Sequence, residues 1–196
     1  MLNNKLKNHN IILASGSPRR QQFFKDLGVP FTICLKPINE TYPPRLKHFE
    51  ISDYLAQLKA LPFTETLQDN DILITSDTIV WYNNKALGKP AHEAEAFSIL
   101  KSLSNSTHEV ITSVCFTTTN YAKTINNVTK VTFKALTDAE IHHYIKTAKP
   151  FDKAGAYGIQ EWIGQIGVTK IEGSYFNVMG LPTHLVYSTL NEIVNL

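Results

Sequence analysis

Nowhere in this 196-residue sequence does an apolar run approach the ~20 residues that a helix needs to cross a bilayer. The first apolar run, Ile11-Ile12-Leu13-Ala14, is too short for the core of a secretory signal, and the residues before it are polar. Cysteine is scarce. Cys34 and Cys115 form no Cys-x-x-Cys pair, and two distant thiols make no disulfide framework, so a reduced, cytoplasmic setting is expected. Cys115 alternates with apolar neighbours, which points to packing. An excess of one charge sign is also missing: 19 basic side chains stand against 17 acidic ones, a net charge of +2. That balance argues against nucleic-acid or membrane binding through charge and confines any anion site to a local cluster. There is no Walker-type Gly-Lys-Ser/Thr loop, dinucleotide fingerprint, His-Glu-x-x-His motif or nucleophile elbow. His142 and His143 are adjacent on a predicted helix, about 100° apart, and cannot chelate one metal together.

What is present supports a folded α/β protein. Hydrophobic residues make up 43% and charged residues 18%, enough for a sizeable core. The most informative segment is Ser17-Pro18-Arg19-Arg20-Gln21, which follows the first apolar run after a turn at Ser15-Gly16. Ser17 suits an N-cap, Pro18 the first helical position and Gly28 the end of the helix. A helix start attracts anions through its free N–H groups and dipole. Two arginines in its first turn add planar forks that match phosphate oxygens. The ordinary alternative is a solvated arginine pair at a common type of helix start.

Along the chain, the pattern predicts strand 11–14, helix 18–27, an extended run 30–34 and a polar loop 36–45 that carries Glu40. A helix over 50–61 follows, stopped by Pro62, with Lys59 at the edge of its apolar stripe. Residues 71–82 read as a strand whose Ile72-Leu73-Ile74 core is buried on both faces. A helix over 91–103, paired antiparallel strands over 108–119 and 127–135, and a helix over 137–146 with a Thr137/Glu140 capping box come next. The glycine-rich stretch 152–182 is expected to hold several short strands, and 183–194 the terminal helix. The expected fold is a mixed α/β sheet with flanking helices and a central cleft, one domain over 1–196, with 101–135 as a second lobe if the domain divides.

Candidate chemistry lies outside the arginine helix too. Asp77 falls beyond a buried strand, where open α/β sheets bind ligands, and could hold a metal or orient a water; a turn-forming aspartate is the alternative. Lys89 is framed by Gly88 and Pro90 and could meet phosphate as a point charge, or be an ordinary loop lysine. Asp152-Lys153-Ala154-Gly155-Ala156-Tyr157-Gly158-Ile159-Gln160 combines small residues with polar ones, and Gln160 offers both donor and acceptor to a base edge. No chemical role follows from Glu172-Gly173-Ser174 or Gly180-Leu181-Pro182 themselves.

Taken together, these segments resemble the Maf (septum formation inhibitor-like) family of nucleoside triphosphate pyrophosphatases. Leu13-Ala14-Ser15-Gly16-Ser17-Pro18-Arg19-Arg20 matches first, then Ser76-Asp77-Thr78-Ile79-Val80 with Gly88-Lys89-Pro90. Thr107-His108-Glu109-Val110 follows, and the run from Asp152 to Gln160 continues through Glu172-Gly173-Ser174 to Gly180-Leu181-Pro182. The resemblance implies hydrolysis of a nucleoside triphosphate to monophosphate and pyrophosphate with a divalent metal, Mg²⁺ or Mn²⁺. It implies a fold similar to inosine triphosphate pyrophosphatases, often as a homodimer. The aspartate matching Asp77 is the family's proton acceptor, and the residues matching Arg19, Thr78 and Gln160 bear on substrate choice. Their identities here look like the dTTP/UTP branch. Glu40 and Lys59 match positions that line the family's site. Glu161-Trp162 departs from the pattern, which often has glycine after the glutamine.

On this reading, Ser15, Ser17, Arg19, Arg20 and Lys153 bind the triphosphate, and Lys59 and Lys89 neutralise charge on departing pyrophosphate. Glu40 and Asp77 help hold the metal, and Asp77 orients the attacking water. Asp152 holds a second metal or fixes Lys153, and Thr78 and Gln160 contact the pyrimidine. Asp77 and Thr78 are neighbours, so they reach one pocket only if the strand ends or bulges there. Other readings left open are a pyrophosphatase for modified nucleotides, a non-catalytic nucleotide-binding regulator of division and a nucleic-acid-binding module built on the arginine helix.

Overall fold

The computed structural model of the chain describes residues 2–195. It is a mixed α/β structure. The helices are α1 (Leu2–Lys5), α2 (Pro18–Asp26), α3 (Phe49–Ala60), α4 (Glu93–Leu103), α5 (Asp138–Ala148), α6 (Trp162–Gly167), α7 (Tyr175–Val178) and α8 (Thr183–Ile193). The strands are β1 (Asn10–Leu13), β2 (Thr32–Ile33), β3 (Asp71–Tyr82), β4 (Lys85–Leu87), β5 (Thr107–Thr117), β6 (Ala122–Phe133) and β7 (Val168–Glu172). They form one seven-stranded sheet in the order β2-β1-β3-β5-β6-β7, with β4 paired to β3. β1 runs parallel to both β2 and β3, setting Leu13 opposite Ile33 and Ile74. β4 is antiparallel to β3 and β7 to β6, so the sheet is mixed, as expected.

The described residues divide into two compact units. One comprises the chain up to Asp77, Thr112–Asn127 and the residues from Gly180 on; the other comprises Thr78–Ile111 and Val128–Met179. The stretch 101–135 is thus shared between them.

In the first unit, Ile72, Leu73 and Ile74 are all buried, as a continuous apolar run demands when both faces of a strand are covered. Phe23 and Phe24 of α2 and Ile51 and Leu55 of α3 supply the apolar faces of their helices. Gly28 adopts a φ of 65° just past α2, the left-handed conformation that glycine takes without strain. The start of the chain is less polar in effect than it reads. Leu2 and Leu6, four residues apart, share one helical face, and α1 packs on α8.

In the second unit, α4 and α5 pack together around Leu100, Phe133, Ile141 and Tyr144. Thr137 caps α5 as its sequence predicts: its hydroxyl accepts the Glu140 N–H at 3.2 Å, and the Glu140 carboxylate accepts the Thr137 N–H at 2.7 Å. The stretch 152–182 differs from expectation. It holds one strand, β7, together with a 3-10 turn at Ala154–Ala156 and the helices α6 and α7. Its glycines serve close approach more than strand turns. A Cβ on Gly164 would stand 1.9 Å from the Ile159 carbonyl oxygen, and one on Gly155 2.6 Å from Val80 Cγ2. Cys115 is buried, in accord with packing, and Cys34 is exposed. No described helix is long and apolar enough to cross a membrane.

His108, 2% exposed, places Nε2 2.7 Å from the Tyr157 hydroxyl, while its Nδ1 meets no hydrogen-bond partner. Burial pushes its pKa down from 6.5 to about 4. The unfolded chain therefore takes up this proton near pH 6.5 and the folded chain only near pH 4. Stability from neutral His108 is complete above that window and is lost as pH falls through it. In urea titrations the wild-type midpoint is expected to fall between pH 6.5 and 4 more steeply than that of His108→Gln; parallel curves would remove His108 as the cause.

Candidate functional site

The first unit assembles the segment expected to meet phosphate where β1 hands over to α2. Ser17 is the N-cap and Pro18 opens the helix, as the sequence predicts. The Ser17 hydroxyl accepts the Arg20 N–H at 3.5 Å, a long bond, and the buried Ser15 hydroxyl accepts the Ser17 N–H at 3.3 Å. Gln21 closes the turn by donating to the Ser15 carbonyl at 3.2 Å. The Nε of Arg19 is buried without a hydrogen-bond partner. Such an atom is rare in a folded protein and fits a site completed by an anionic ligand.

Arg20 is engaged differently from its neighbour. Its Nε donates to the Gly180 carbonyl at 2.8 Å and its Nη1 to the Ser76 carbonyl at 2.9 Å. Withdrawal of the guanidinium from water lowers its pKa, opposed by the nearby charge of Asp77; an arginine remains charged in any case. Arg20 thus ties α2 to the residue before Asp77 and to the turn that leads into α8. This gives Gly180-Leu181-Pro182 a structural role that its sequence does not reveal.

Asp77, 8% exposed, lies in β3, and its Oδ1 is 2.7 Å from Lys59 Nζ. The same ammonium is 3.1 Å from Glu40 Oε2. Glu40 arrives on the long loop before α3, and Lys59 on the last turn of α3. The placement is set by a buried bond: Thr75 donates its hydroxyl to the Ala56 carbonyl at 2.6 Å. Two residues before Asp77 and three before Lys59, that bond locks strand to helix. Glu40, Lys59 and Asp77, far apart in sequence, are therefore brought into one cluster.

The donor set suits a hard divalent cation. Two carboxylates converge on one positive centre, and Mg²⁺ commonly takes one or two carboxylates while phosphate and water oxygens complete its shell. Among the described residues no group of three or more His, Cys, Asp or Glu is placed to hold a metal.

The second unit holds the other candidates. β3 continues without ending through Thr78, so the two neighbours, Asp77 and Thr78, do not share a strand end. Lys89 is exposed in the loop after β4, and that loop is pinned where the Gly155 N–H donates to the Gly88 carbonyl at 3.1 Å. Lys153 is buried, its Nζ 2.8 Å from Asp152 Oδ1 and 3.1 Å from Glu161 Oε1. Gln160 is half-buried just before Glu161. The sequence gives no role to Thr75 or Tyr144, and marks Glu161 only as a departure from the family pattern. A lone threonine in an apolar strand and a tyrosine on a helix carry no local sign of their partners.

Arg20→Lys is expected to lower unfolding stability by about 1–3 kcal/mol, because an ammonium cannot span two carbonyls as a fork does. Urea denaturation measures this, and an unchanged midpoint would show that the clamp contributes nothing.

The chain is similar to known proteins along its whole length. The chain is 61% identical to a dTTP/UTP pyrophosphatase of Flavobacterium johnsoniae, over 99% of this chain and 100% of that protein. It is 59% identical to a dTTP/UTP pyrophosphatase of Christiangramia forsetii, over 100% of both. Among solved structures, the Ham1 protein of Staphylococcus aureus aligns with a TM-score of 0.44 at 15% identity, covering 63% of this chain and 71% of that one. Residues 10–193 match the family described as Maf-like protein. With the match running through the arginine helix, the Lys59 cluster and the Gln160 segment alike, the chain belongs to the Maf-like protein family.

Proposed function

We propose that this chain hydrolyses dTTP and UTP to the monophosphate and pyrophosphate. The observation that carries the reading is the Lys59 ammonium held between Asp77 and Glu40 in the unit that also bears the Arg19 helix start. Relatives that cover the whole chain and are named dTTP/UTP pyrophosphatases support the choice of nucleotide.

In this mechanism the helix start, with Ser15, Ser17 and the unsatisfied Arg19, takes the triphosphate oxygens. Asp77 accepts the proton of a water that attacks the α-phosphorus. The new O–P bond forms as the bond to the bridging oxygen breaks, and pyrophosphate departs with that electron pair. Lys59 fixes one oxygen of the Asp77 carboxylate and offsets negative charge as it develops. A carboxylate is a weak base, so positioning supplies much of the rate. Glu40 and Asp77 would hold a Mg²⁺ or Mn²⁺ ion, which supplies polarisation of the phosphate and of water. Lys89 adds positive charge in the second unit, where Lys153 is already paired with Asp152 and Glu161, and Gln160 contacts the pyrimidine. The reading includes a cytoplasmic setting for the free thiols and a homodimer.

Pyrophosphate release from dTTP, UTP, CTP, 7-methyl-GTP, ITP, ATP and GTP, with Mg²⁺ or Mn²⁺, tests the assignment. Turnover is expected to favour dTTP and UTP, and turnover confined to another nucleotide would overturn the base assignment. Asp77→Asn should lower kcat by at least ~10²-fold, the low end of what a general base contributes, in a protein that still folds cooperatively. Near-normal turnover in that variant would remove Asp77 as the base. Arg19→Ala should lower kcat/KM by ~10–100-fold, the equivalent of one lost charge-assisted bond; an unchanged value would contradict the phosphate grip.

A further inference from the structure

β7 is the last strand of the sheet. β6 pairs with one of its edges, and no described strand pairs with the other. Thr169, Lys170, Ile171 and Glu172 are all exposed, and so are Tyr175 and Phe176 at the start of α7 just beyond. An edge of this kind offers its backbone N–H and C=O groups as a template for another strand. Its residues favour that use. Val168, Thr169 and Ile171 are β-branched, and β7 contains no proline.

Proteins commonly protect such edges with charge, lysine above all. β7 carries charge of both signs instead. Lys170 and Glu172, two residues apart, lie on one face of the strand and Ile171 on the other. Lys170 Nζ is 2.6 Å from Glu172 Oε1, and both side chains are mostly exposed. The register with β6 sets Lys130 opposite Glu172 and Thr132 opposite Lys170. All of these residues belong to the second unit.

The same edge of two copies can exchange backbone bonds about a two-fold axis when the strands run antiparallel. The charges then choose the register. Centred on Ile171, the pairing sets Lys170 of each copy opposite Glu172 of the other, and Ile171 opposite Ile171. Glu172 then lies between Lys130 of its own sheet and Lys170 of the second copy. Sliding the copies by two residues sets Lys170 opposite Lys170, or Glu172 opposite Glu172, and like charges directly opposite destabilise a sheet. A slip of one residue sets Lys170 against Ile171, which belongs to the other face. The edge is thus complementary to a copy of itself in one register.

We infer that the free edge of β7 is the self-association surface of this chain: a second copy adds its own β7 antiparallel, centred on Ile171, and continues the sheet. The inference rests on the homodimer of the proposed function and gives it a surface. A five-residue ladder with a small apolar fringe is a small interface, so the dimer is expected to dissociate at concentrations on the order of micromolar.

The test uses the full chain. Sedimentation velocity follows wild type, Lys170→Glu and Glu172→Lys across ~1–100 μM, with melting curves alongside. Wild type is expected to dimerise within that range. Each single reversal puts like charges opposite one another and should weaken the dimer at least about tenfold. Mixing the two variants should restore it, because one strand then presents two carboxylates and the other two ammonium groups. A general loss of structure would not be repaired by mixing. The register has its own readout. Directly opposite Cα atoms in an antiparallel pair lie ~4.5–5.5 Å apart, within disulfide reach. Mild oxidation is therefore expected to cross-link Ile171→Cys, made in a Cys34→Ser background, and to leave Thr169→Cys uncrosslinked. A dimer that tolerates both reversals, or that mixing does not restore, overturns the inference while the homodimer stands. Failure of the Ile171→Cys cross-link overturns the register. A wild type that stays monomeric throughout overturns the homodimer and this surface together, and leaves the edge to a strand of a different protein.

Discussion

The ammonium of Lys59 sits 2.7 Å from Asp77 Oδ1 and 3.1 Å from Glu40 Oε2, largely withdrawn from water. In that setting Lys59 and Asp77 depend on one another, while Glu40 is more exposed. Removing one partner from a desolvated pair leaves the other uncompensated, a larger loss than the pair's own net contribution. The arrangement survives because the backbone beneath it is fixed. Thr75 binds β3 to α3 through the Ala56 carbonyl, and Arg20 holds the Ser76 carbonyl from the side of α2. Both bonds are made by the two residues just before Asp77, so the strand that carries the proposed base has little freedom to shift along its own axis.

The second unit repeats the device with other residues. Lys153 also stands between two carboxylates, those of Asp152 and Glu161. There the ammonium is more deeply covered, and its partners belong to its own segment of chain. In the first unit the lysine joins elements that the sequence keeps apart; in the second it closes a single loop. The same charge pattern thus assembles a site in one place and stiffens a turn in the other.

Much of this was legible in the residues. Ser17-Pro18 announced the start of α2, Ile72-Leu73-Ile74 a strand buried on both faces, and Thr137 with Glu140 the capped start of α5, because each signal is local. The hidden parts are those in which distance in sequence separates the partners. Nothing near Arg20 tells that its guanidinium serves a carbonyl 160 residues away. Nothing near Tyr144 tells that it will bond to Glu161. The stretch 152–182 misled for another reason: its glycines suggested strand turns, whereas Gly164 is needed because α6 lies against the Ile159 carbonyl.

The two compact units are threaded through one another. The chain leaves the first after Asp77, returns at Thr112, leaves again after Asn127 and comes back at Gly180. Neither unit is a continuous stretch, so no truncation of the gene isolates either of them. During synthesis the first unit lacks α8, and Arg20 lacks its Gly180 partner, until every segment of the second unit has been made. Such long-range closure slows folding and leaves the early strands uncovered in the meantime. The first unit is thus begun before the second and completed only after it.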